Sequence, residues 1–142
     1  MPIKYHQQTK TFHLYNDEIS YIFKVIRNGH LANLYFGKAI RDKEDFDYLF
    51  ETSARAMAVC TYEDDMSFSM EHIRQEYPCY GTGDFKYPAY EILQQNGSDI
   101  TEFEYVSHQI YKGKPTLIDK MPSTYVESDE EATTLEITLK DA

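Results

Sequence analysis

Two acidic residues, Glu76 and Asp84, stand in the least periodic segment of this chain, which reads Q-E-Y-P-C-Y-G-T-G-D-F-K-Y-P-A from Gln75 to Ala89. Carboxyl groups can serve as general acids and bases. Acids are also recruited by turns, where their oxygens accept hydrogen bonds from backbone amides. We predict that Glu76, Tyr77 and Asp84 form a structural turn motif, with the two carboxylates holding the amides of residues 77–83. Contact with a substrate is the alternative reading.

Residues that bind metals or cofactors do not form a recognisable pattern. Gly81-Thr82-Gly83 is too short for a phosphate-binding loop, and Asp42-Lys43-Glu44-Asp45 lacks the glycine and spacing of a calcium loop. The histidines lack the spacing of a zinc site; they are His6, His13, His30, His72 and His108. We predict no metal and no cofactor. No Ser-His-acid arrangement can be argued from spacing alone, and both cysteines, Cys60 and Cys79, are expected to be reduced thiols.

Charge and hydropathy limit the classes of partner. The 142 residues carry 24 acids against 14 lysines and arginines, for a net charge of −10, and the basic residues are scattered. Such a surface repels nucleic acid and anionic membranes. The first residues lack the apolar core of a signal peptide, and no apolar run reaches the roughly 18 residues of a membrane span. We expect a soluble, cytoplasmic protein.

The elements that position these residues are predicted to be strands. Residues 20–27 and 30–36 are rich in β-branched and aromatic side chains and flank Asn28-Gly29, a strong hairpin signal. We predict a type I′ turn with both central residues at positive φ. The predicted cross-strand pairs are Ile26 with Leu31, Lys24 with Asn33, and Ile22 with Tyr35.

The rest of the chain is less regular. A second hairpin is predicted at Asn96-Gly97, between strands at 87–95 and 98–111, although Asn96-Gly97-Ser98 also matches a glycosylation sequon. A last strand at 134–140 alternates, with Leu135, Ile137 and Leu139 on one face. Residues 66–75 could form a short helical turn, and residues 41–66 are predicted to be a long loop. The 13 tyrosines and 8 phenylalanines favour core packing over a sugar-binding platform.

The segment at Gln75 resembles the N-terminal domain of bacterial α-galactosidases of glycoside hydrolase family 36, where Q-E-Y-P-x-Y-G-x-x-D-F-R-x-P-A recurs. Further matching segments follow in the same order along nearly the whole chain; they include Thr11-Phe12-His13-Leu14, Asn28-Gly29, Asn96-Gly97-Ser98, Gly113-Lys114-Pro115 and Thr124-Tyr125-Val126-Glu127. Two departures are Lys86 in place of arginine and Ser53-Ala54-Arg55-Ala56 in place of Leu-Asp-Arg.

The resemblance implies an all-β fold, a mostly antiparallel β-sandwich of the supersandwich type, with residues 1–142 as an incomplete N-terminal domain. It places a catalytic TIM barrel and its two catalytic aspartates downstream, so no catalytic residue is expected in this chain. The parent enzyme would hydrolyse terminal α-galactosides such as melibiose or raffinose with retention, as a homo-oligomer, with a tetramer suspected.

The resemblance also assigns a role to the loop at Ala54 and Arg55. In relatives with Leu-Asp-Arg, this loop reaches the galactose pocket of a neighbouring subunit. Ala54 lacks the carboxylate that would contact the sugar, whereas Arg55 aligns with the usual arginine as a positioning or interface residue. A different class of function stays open: a free-standing carbohydrate-binding or scaffolding module without an enzyme attached.

Overall fold

The computed structural model describes residues 2–53, 61–62, 64–81, 84–116 and 125–142 of the chain. Within this part, eight strands form three antiparallel sheets, in agreement with the predicted all-β fold. In chain order they are β1 (Ile3–His6), β2 (Thr11–Tyr15), β3 (Ile19–Val25), β4 (Leu31–Lys38), β5 (Thr61–Tyr62), β6 (Asp65–Ser69), β7 (Phe103–Lys112) and β8 (Thr133–Asp141). In the described ranges, helical structure consists of two 3₁₀ turns, Asp47–Leu49 and Asp129–Glu131, and no helix long and apolar enough to span a membrane is found.

Strands β1 to β4 form an up-and-down sheet in sequence order. The hairpin between β3 and β4 occurs where Asn28-Gly29 predicts it, and the predicted pair Ile22–Tyr35 is confirmed. Closer to the turn, the register is shifted by one residue, so Asn33 lies opposite Phe23 and Leu31 opposite Val25. A β-bulge between Ile22 and Phe23, where β4 has one extra residue, separates this shifted register from the predicted one that holds at Ile22–Tyr35.

The type I′ assignment of this turn is wrong. Gly29 has a φ of 81°, but Asn28 is not among the described non-glycine residues with positive φ. The Gly29 amide donates to the Ile26 carbonyl at 3.0 Å, and the Ile26 amide donates to the His30 carbonyl at 2.9 Å. These bonds are typical of a three-residue loop, a type I turn followed by a left-handed glycine that forms a bulge. The added loop residue accounts for the shifted register.

The two faces of the four-stranded sheet are covered by different parts of the chain. Strands β7 and β8 form a ribbon over one face, as expected for a sandwich. The predicted inward face of β8 is confirmed, because its alternating aliphatic residues pack against that side of the sheet. This core contains Phe12, Phe23, Val25 and Leu31 of the sheet, with Tyr105, Leu135, Ile137 and Leu139 of the ribbon.

The opposite face of the sheet is covered by residues 40–50 and by the region of β6. Phe46 is fully buried against Ile22 and Leu34, and Phe68 and Met70 pack against Ile26. The predicted helical turn at 66–75 is therefore wrong for its first half, because Asp65–Ser69 is a strand. A single turn follows, in which the Ile73 amide donates to the Met70 carbonyl. The strand places Phe68 in the core beside Ile26, and Met70 directly after it is buried in the same cluster.

The second predicted hairpin forms its turn but not its sheet. Gly97 has a φ of 84°, and its amide donates to the Gln94 carbonyl at 2.9 Å, so this turn has the same type I geometry as the first. Residues 87–102 are not strands, and β7 pairs with β8 instead. Tyr90 nevertheless contacts Phe103 of β7, with ring centroids 5.3 Å apart.

Candidate functional site

The segment that begins at Gln75 is fastened to the start of β4 by backbone hydrogen bonds. The Asn33 amide donates to the Arg74 carbonyl at 2.7 Å, and the Glu76 amide donates to the Leu31 carbonyl at 2.9 Å. Ala32 and Gln75 form the antiparallel bridge between them. The motif thus extends the sheet by one short strand-like step, which orients the side chains that follow.

The Glu76 carboxylate binds side chains of the sheet. One oxygen accepts a hydrogen bond from the Tyr21 hydroxyl, and the other accepts one from Asn33 Nδ2 at 2.6 Å. Burial and the adjacent carboxylate raise the pKa of the Tyr21 hydroxyl. These two contacts link the motif to β3 and β4. The predicted bonds to backbone amides of residues 77–83 stay a prediction, since residues 82 and 83 lie outside the described part of the chain.

Asp84 organises the second half of the motif. Its side chain is almost fully buried and accepts hydrogen bonds from Gln75 Nε2 and from the Lys86 amide at 3.0 Å. The Lys86 ammonium lies 2.6 Å from Asp84 Oδ1 and also donates to the carbonyls of Met70 and Glu71, at 3.2 and 2.8 Å. Asp84 therefore binds a backbone amide just beyond the predicted turn, and Lys86 compensates its buried charge.

Tyr77 lies at the mouth of an apolar cavity beside this motif. Its ring stacks on Tyr90 with centroids 4.7 Å apart and an interplanar angle of 23°, and 46% of the residue is exposed. Burial raises the pKa of Tyr90 to about 12, against the opposing effect of the Thr101 hydroxyl that donates to it. The cavity has a volume of about 480 Å³ and is lined by Leu31, Glu76, Tyr77, Tyr90, Ile92, Phe103, Ile137 and Leu139.

This cavity does not contain the carboxyl pair of a glycosidase. Glu76 is the one acid among the described residues that line it, and both of its oxygens already accept hydrogen bonds. A retaining glycosidase needs two carboxyl groups about 5–5.5 Å apart across the bond that is cleaved. The arrangement can therefore bind an apolar or aromatic partner, but it cannot supply that chemistry.

Large apolar side chains are exposed around the motif. Phe85, Tyr87 and Leu93 are 77%, 85% and 78% exposed, and Ile100 lies in the same part of the chain and is also exposed. Concentrations of exposed apolar residues on soluble proteins mark interaction surfaces. The prediction that aromatic residues serve core packing holds for Phe12 and Phe23 but not for Phe85 and Tyr87.

A Ser-His-Asp chain that spacing did not predict lies on another side of the sheet. His13 Nε2 is 2.9 Å from Ser20 Oγ, and His13 Nδ1 is 2.8 Å from Asp42 Oδ1. Ser20 and His13 are fully buried, and Ser20 Oγ also accepts the Ile40 amide. A buried hydroxyl with these bonds is not available as a nucleophile. The chain instead fixes residues 40–42 against the sheet.

Asp42 receives two further donors, Lys4 Nζ at 2.8 Å and His6 Nε2 at 3.1 Å. Partial burial opposes its ionisation, yet the hydrogen bonds from Lys4, His13 and His6 lower its pKa to about 2. No local motif could have revealed this cluster, because Asp42 is 29 to 38 residues away in sequence from the three side chains that donate to it. Among the residues that the structure describes, no group of acids, histidines and cysteines has the arrangement of a metal site.

Of the two predicted loop residues and the two cysteines, only Cys79 lies in the described part of the chain. Ala54 and Arg55 lie outside the described residues, as does Cys60. Cys79 is a buried thiol.

Comparison with known proteins identifies relatives over the whole chain. Residues 29–142 match the profile of the glycosyl hydrolase family 36 N-terminal domain. The sequence is 45% identical over 142 residues to α-galactosidase AgaA of Geobacillus stearothermophilus, covering 100% of this chain and 19% of that relative.

Solved structures agree with this match. The α-galactosidase from Lactobacillus brevis superposes with a TM-score of 0.87 at 34% identity, covering 98% of this chain and 19% of that one. A variant of AgaA in complex with raffinose superposes with a TM-score of 0.80 at 45% identity, covering 93% of this chain and 18% of that one. The chain thus spans about a fifth of the length of these relatives, and it belongs to the glycosyl hydrolase family 36 N-terminal domain family.

Proposed function

We propose that this chain is the non-catalytic N-terminal domain of an α-galactosidase that hydrolyses terminal α-D-galactosides such as melibiose or raffinose. The observation that carries the proposal is the match of the whole chain to about a fifth of the length of α-galactosidases, together with the match to the family's N-terminal domain. The catalytic carboxylates of the parent would lie in a downstream barrel, and hydrolysis would proceed with retention through a covalent galactosyl intermediate. As a working assignment, the parent is cytoplasmic.

The domain's first role in this proposal is to pack against the barrel. Phe85 and Tyr87 of the motif, and Leu93 shortly after it, present apolar area on a segment that is hydrogen-bonded to the sheet. Covering such area stabilises an interface by about 25 cal/mol for each Å² removed from water. A surface held in place by buried hydrogen bonds is suited to this role because little order is lost on docking.

The second proposed role belongs to the loop at Ala54 and Arg55. It acts in a homo-oligomer of the parent enzyme, with a tetramer as the working assembly. In this proposal the loop approaches a neighbouring subunit's galactose pocket. Ala54→Asp in the full-length enzyme should lower KM, because a carboxylate that accepts sugar hydroxyls contributes about 1.5–3 kcal/mol. Arg55→Ala should weaken assembly, as measured by analytical ultracentrifugation. Unchanged KM and unchanged assembly would remove this role.

Sequencing the gene beyond codon 142 tests the main proposal. The reading frame beyond codon 142 is expected to encode further strands and then a barrel with two inward-facing aspartates. A stop codon shortly after this point, or an unrelated domain, would contradict the proposal.

A carbohydrate-binding module is the second candidate function, and the stacked Tyr77–Tyr90 pair at the cavity mouth favours it. Aromatic faces offer flat apolar area with a polar tip, which suits a sugar ring. Titration of the chain with galactose, melibiose and raffinose, followed by NMR, tests it. Saturable shifts that disappear in Tyr77→Ala would favour this module, whereas a lack of shifts would favour the docking role.

A further inference from the structure

The chain contains two Asn-Gly turns with the same backbone geometry. In each turn, the glycine has a φ between 81° and 84°, and its amide donates to a carbonyl three residues earlier, at 3.0 Å in one and 2.9 Å in the other. In each turn, a second bond closes the loop, from Ile26 to His30 and from Gln94 to Ser98. The two turns therefore form a matched pair in which only the surroundings differ.

The first turn is enclosed. Asn28 is 8% exposed, and its Nδ2 donates to the Met70 sulfur at 3.1 Å. A Cβ placed on Gly29 would lie 2.9 Å from the Glu104 side chain, and the Gly29 carbonyl accepts the Tyr105 amide at 2.8 Å. Movement of the Asn28 carboxamide toward the next backbone nitrogen would require these buried contacts to break.

The second turn is open. Asn96 and Gly97 are both exposed, and a Cβ placed on Gly97 would have no atom within 4 Å. The Asn96 side chain makes one local hydrogen bond, in which Oδ1 accepts the Ser98 amide at 2.9 Å. Exposed turns of this kind open at low free-energy cost, so the Gly97 nitrogen can reach the Asn96 carboxamide.

We infer that Asn96 is a site of spontaneous deamidation in this protein and that Asn28 is protected by the fold. The Gly97 nitrogen forms a bond to Asn96 Cγ and loses its proton, the Cγ–Nδ2 bond breaks, and ammonia leaves, which yields a succinimide. Water then opens the ring. Cleavage at Cγ gives aspartate, and cleavage at the backbone carbonyl gives isoaspartate, with the main chain running through the side-chain carbon.

The two products should affect the turn differently. Aspartate keeps an oxygen acceptor for the Ser98 amide, so the turn is retained and one negative charge is added to a chain already at −10. Isoaspartate lengthens the main chain inside the loop closed by Gln94 and Ser98. The bond from Gln94 Nε2 to the Ile100 carbonyl, now 2.7 Å, would also be strained. Deamidation thus acts on the loop next to the exposed apolar surface.

The test follows both asparagines in one sample. The folded protein is incubated at mildly alkaline pH, and peptides that contain Asn28 or Asn96 are quantified by mass spectrometry and by labelling with protein isoaspartyl methyltransferase. We expect Asn96 to lose its amide at least about tenfold faster than Asn28, since protection by buried hydrogen bonds and packing exceeds the 1.4 kcal/mol that corresponds to a factor of ten. Incubation in urea serves as the control, because unfolding should bring the two rates close together.

Two results would overturn the inference. One is equal rates at the two positions in the folded protein. The other is retention of the Asn96 amide in the folded protein over a time in which the unfolded protein loses it. An Asn96→Gln variant, whose longer side chain cyclises slowly, should lose the isoaspartyl signal of that peptide without any change at Asn28.

Discussion

The Tyr21 hydroxyl donates a hydrogen bond to the Glu76 carboxylate and so connects the central strand β3 to a segment 55 residues further along the chain. Asn33 on β4 binds the other oxygen of the same carboxylate. One acid therefore joins two neighbouring strands to the motif that carries Tyr77 and leads to Asp84. The exposed apolar surface beyond it depends on this connection for its position.

Removal of the Tyr21 hydroxyl should destabilise the domain. Tyr21→Phe leaves a partly buried carboxylate oxygen without its donor, at an expected cost of about 1–3 kcal/mol in the free energy of unfolding. Urea denaturation measures this cost. Tyr35→Phe is the matched control, because the Tyr35 hydroxyl donates to the Lys38 carbonyl in an exposed position. Equal losses in the two variants would contradict the role given to the Tyr21–Glu76 bond.

Lys86 should be replaceable by arginine but not by an uncharged side chain. Lys86→Met leaves the buried Asp84 charge without its cation, and we expect a loss of about 2 kcal/mol, less than for a fully buried pair because Lys86 is partly exposed. Lys86→Arg keeps the charge and should stay within about 0.5 kcal/mol of the wild type. Thermal unfolding of both variants would show this difference. A stable Lys86→Met protein would indicate that Asp84 is held by Gln75 and backbone alone.

The Asp42 cluster should make stability depend on pH in the acid range. The pKa of Asp42 is depressed from 3.8 to about 2 in the folded protein, so its contribution is complete above 3.8 and is lost as the pH falls towards 2. We expect Asp42→Asn to remove about 1–2 kcal/mol of this pH-dependent stability, allowing for solvent screening. Unfolding curves between pH about 5 and 2 measure it.

Asp17→Asn is the control for that series, since Asp17 is exposed and lies outside the cluster. An unchanged pH profile for Asp42→Asn, or an equal change in both variants, would show that the cluster does not stabilise the fold.

The two turn glycines should differ in their tolerance of alanine. Both have positive φ, which costs a residue with a Cβ about 1–2 kcal/mol. Gly97→Ala should show only this cost, because the space around it is open, whereas Gly29→Ala adds a clash with Glu104. Chemical denaturation should therefore rank Gly29→Ala as the more destabilised variant. The reverse order would mean that Glu104 moves aside freely.

Local patterns predicted β3, β4, β8 and most of β7, together with the positions of the two Asn-Gly turns. Asn28-Gly29 and Asn96-Gly97 both form turns with a left-handed glycine, and the alternation of Leu135 to Leu139 identified the inner face of β8. The predicted turn type was wrong because the loop has three residues instead of two. The bulge in β4 compensates for the extra residue, and the sequence around Asn28 does not distinguish this combination from a two-residue loop.

Long-range partners could not be predicted in the same way. The helical signal after Met66 was overridden by burial of Phe68 and Met70, which depends on a sheet formed some 40 residues earlier. The same holds for the Asp42 cluster and for the Tyr21–Glu76 bond, whose members are unremarkable in their own segments. In addition, β7 pairs with β8 rather than with residues 87–95, and local sequence patterns do not determine which partner strand it takes.

In the proposed function, this chain supports an α-galactosidase without performing its chemistry. The most direct measurement compares hydrolysis of a chromogenic α-galactoside by the full-length protein and by the isolated chain of residues 1–142. We predict turnover by the full-length protein and none by the chain, with or without Glu76→Gln and Asp84→Asn. Turnover that copurifies with the isolated chain and is lost in either variant would contradict the claim and place the catalytic carboxylates in this domain.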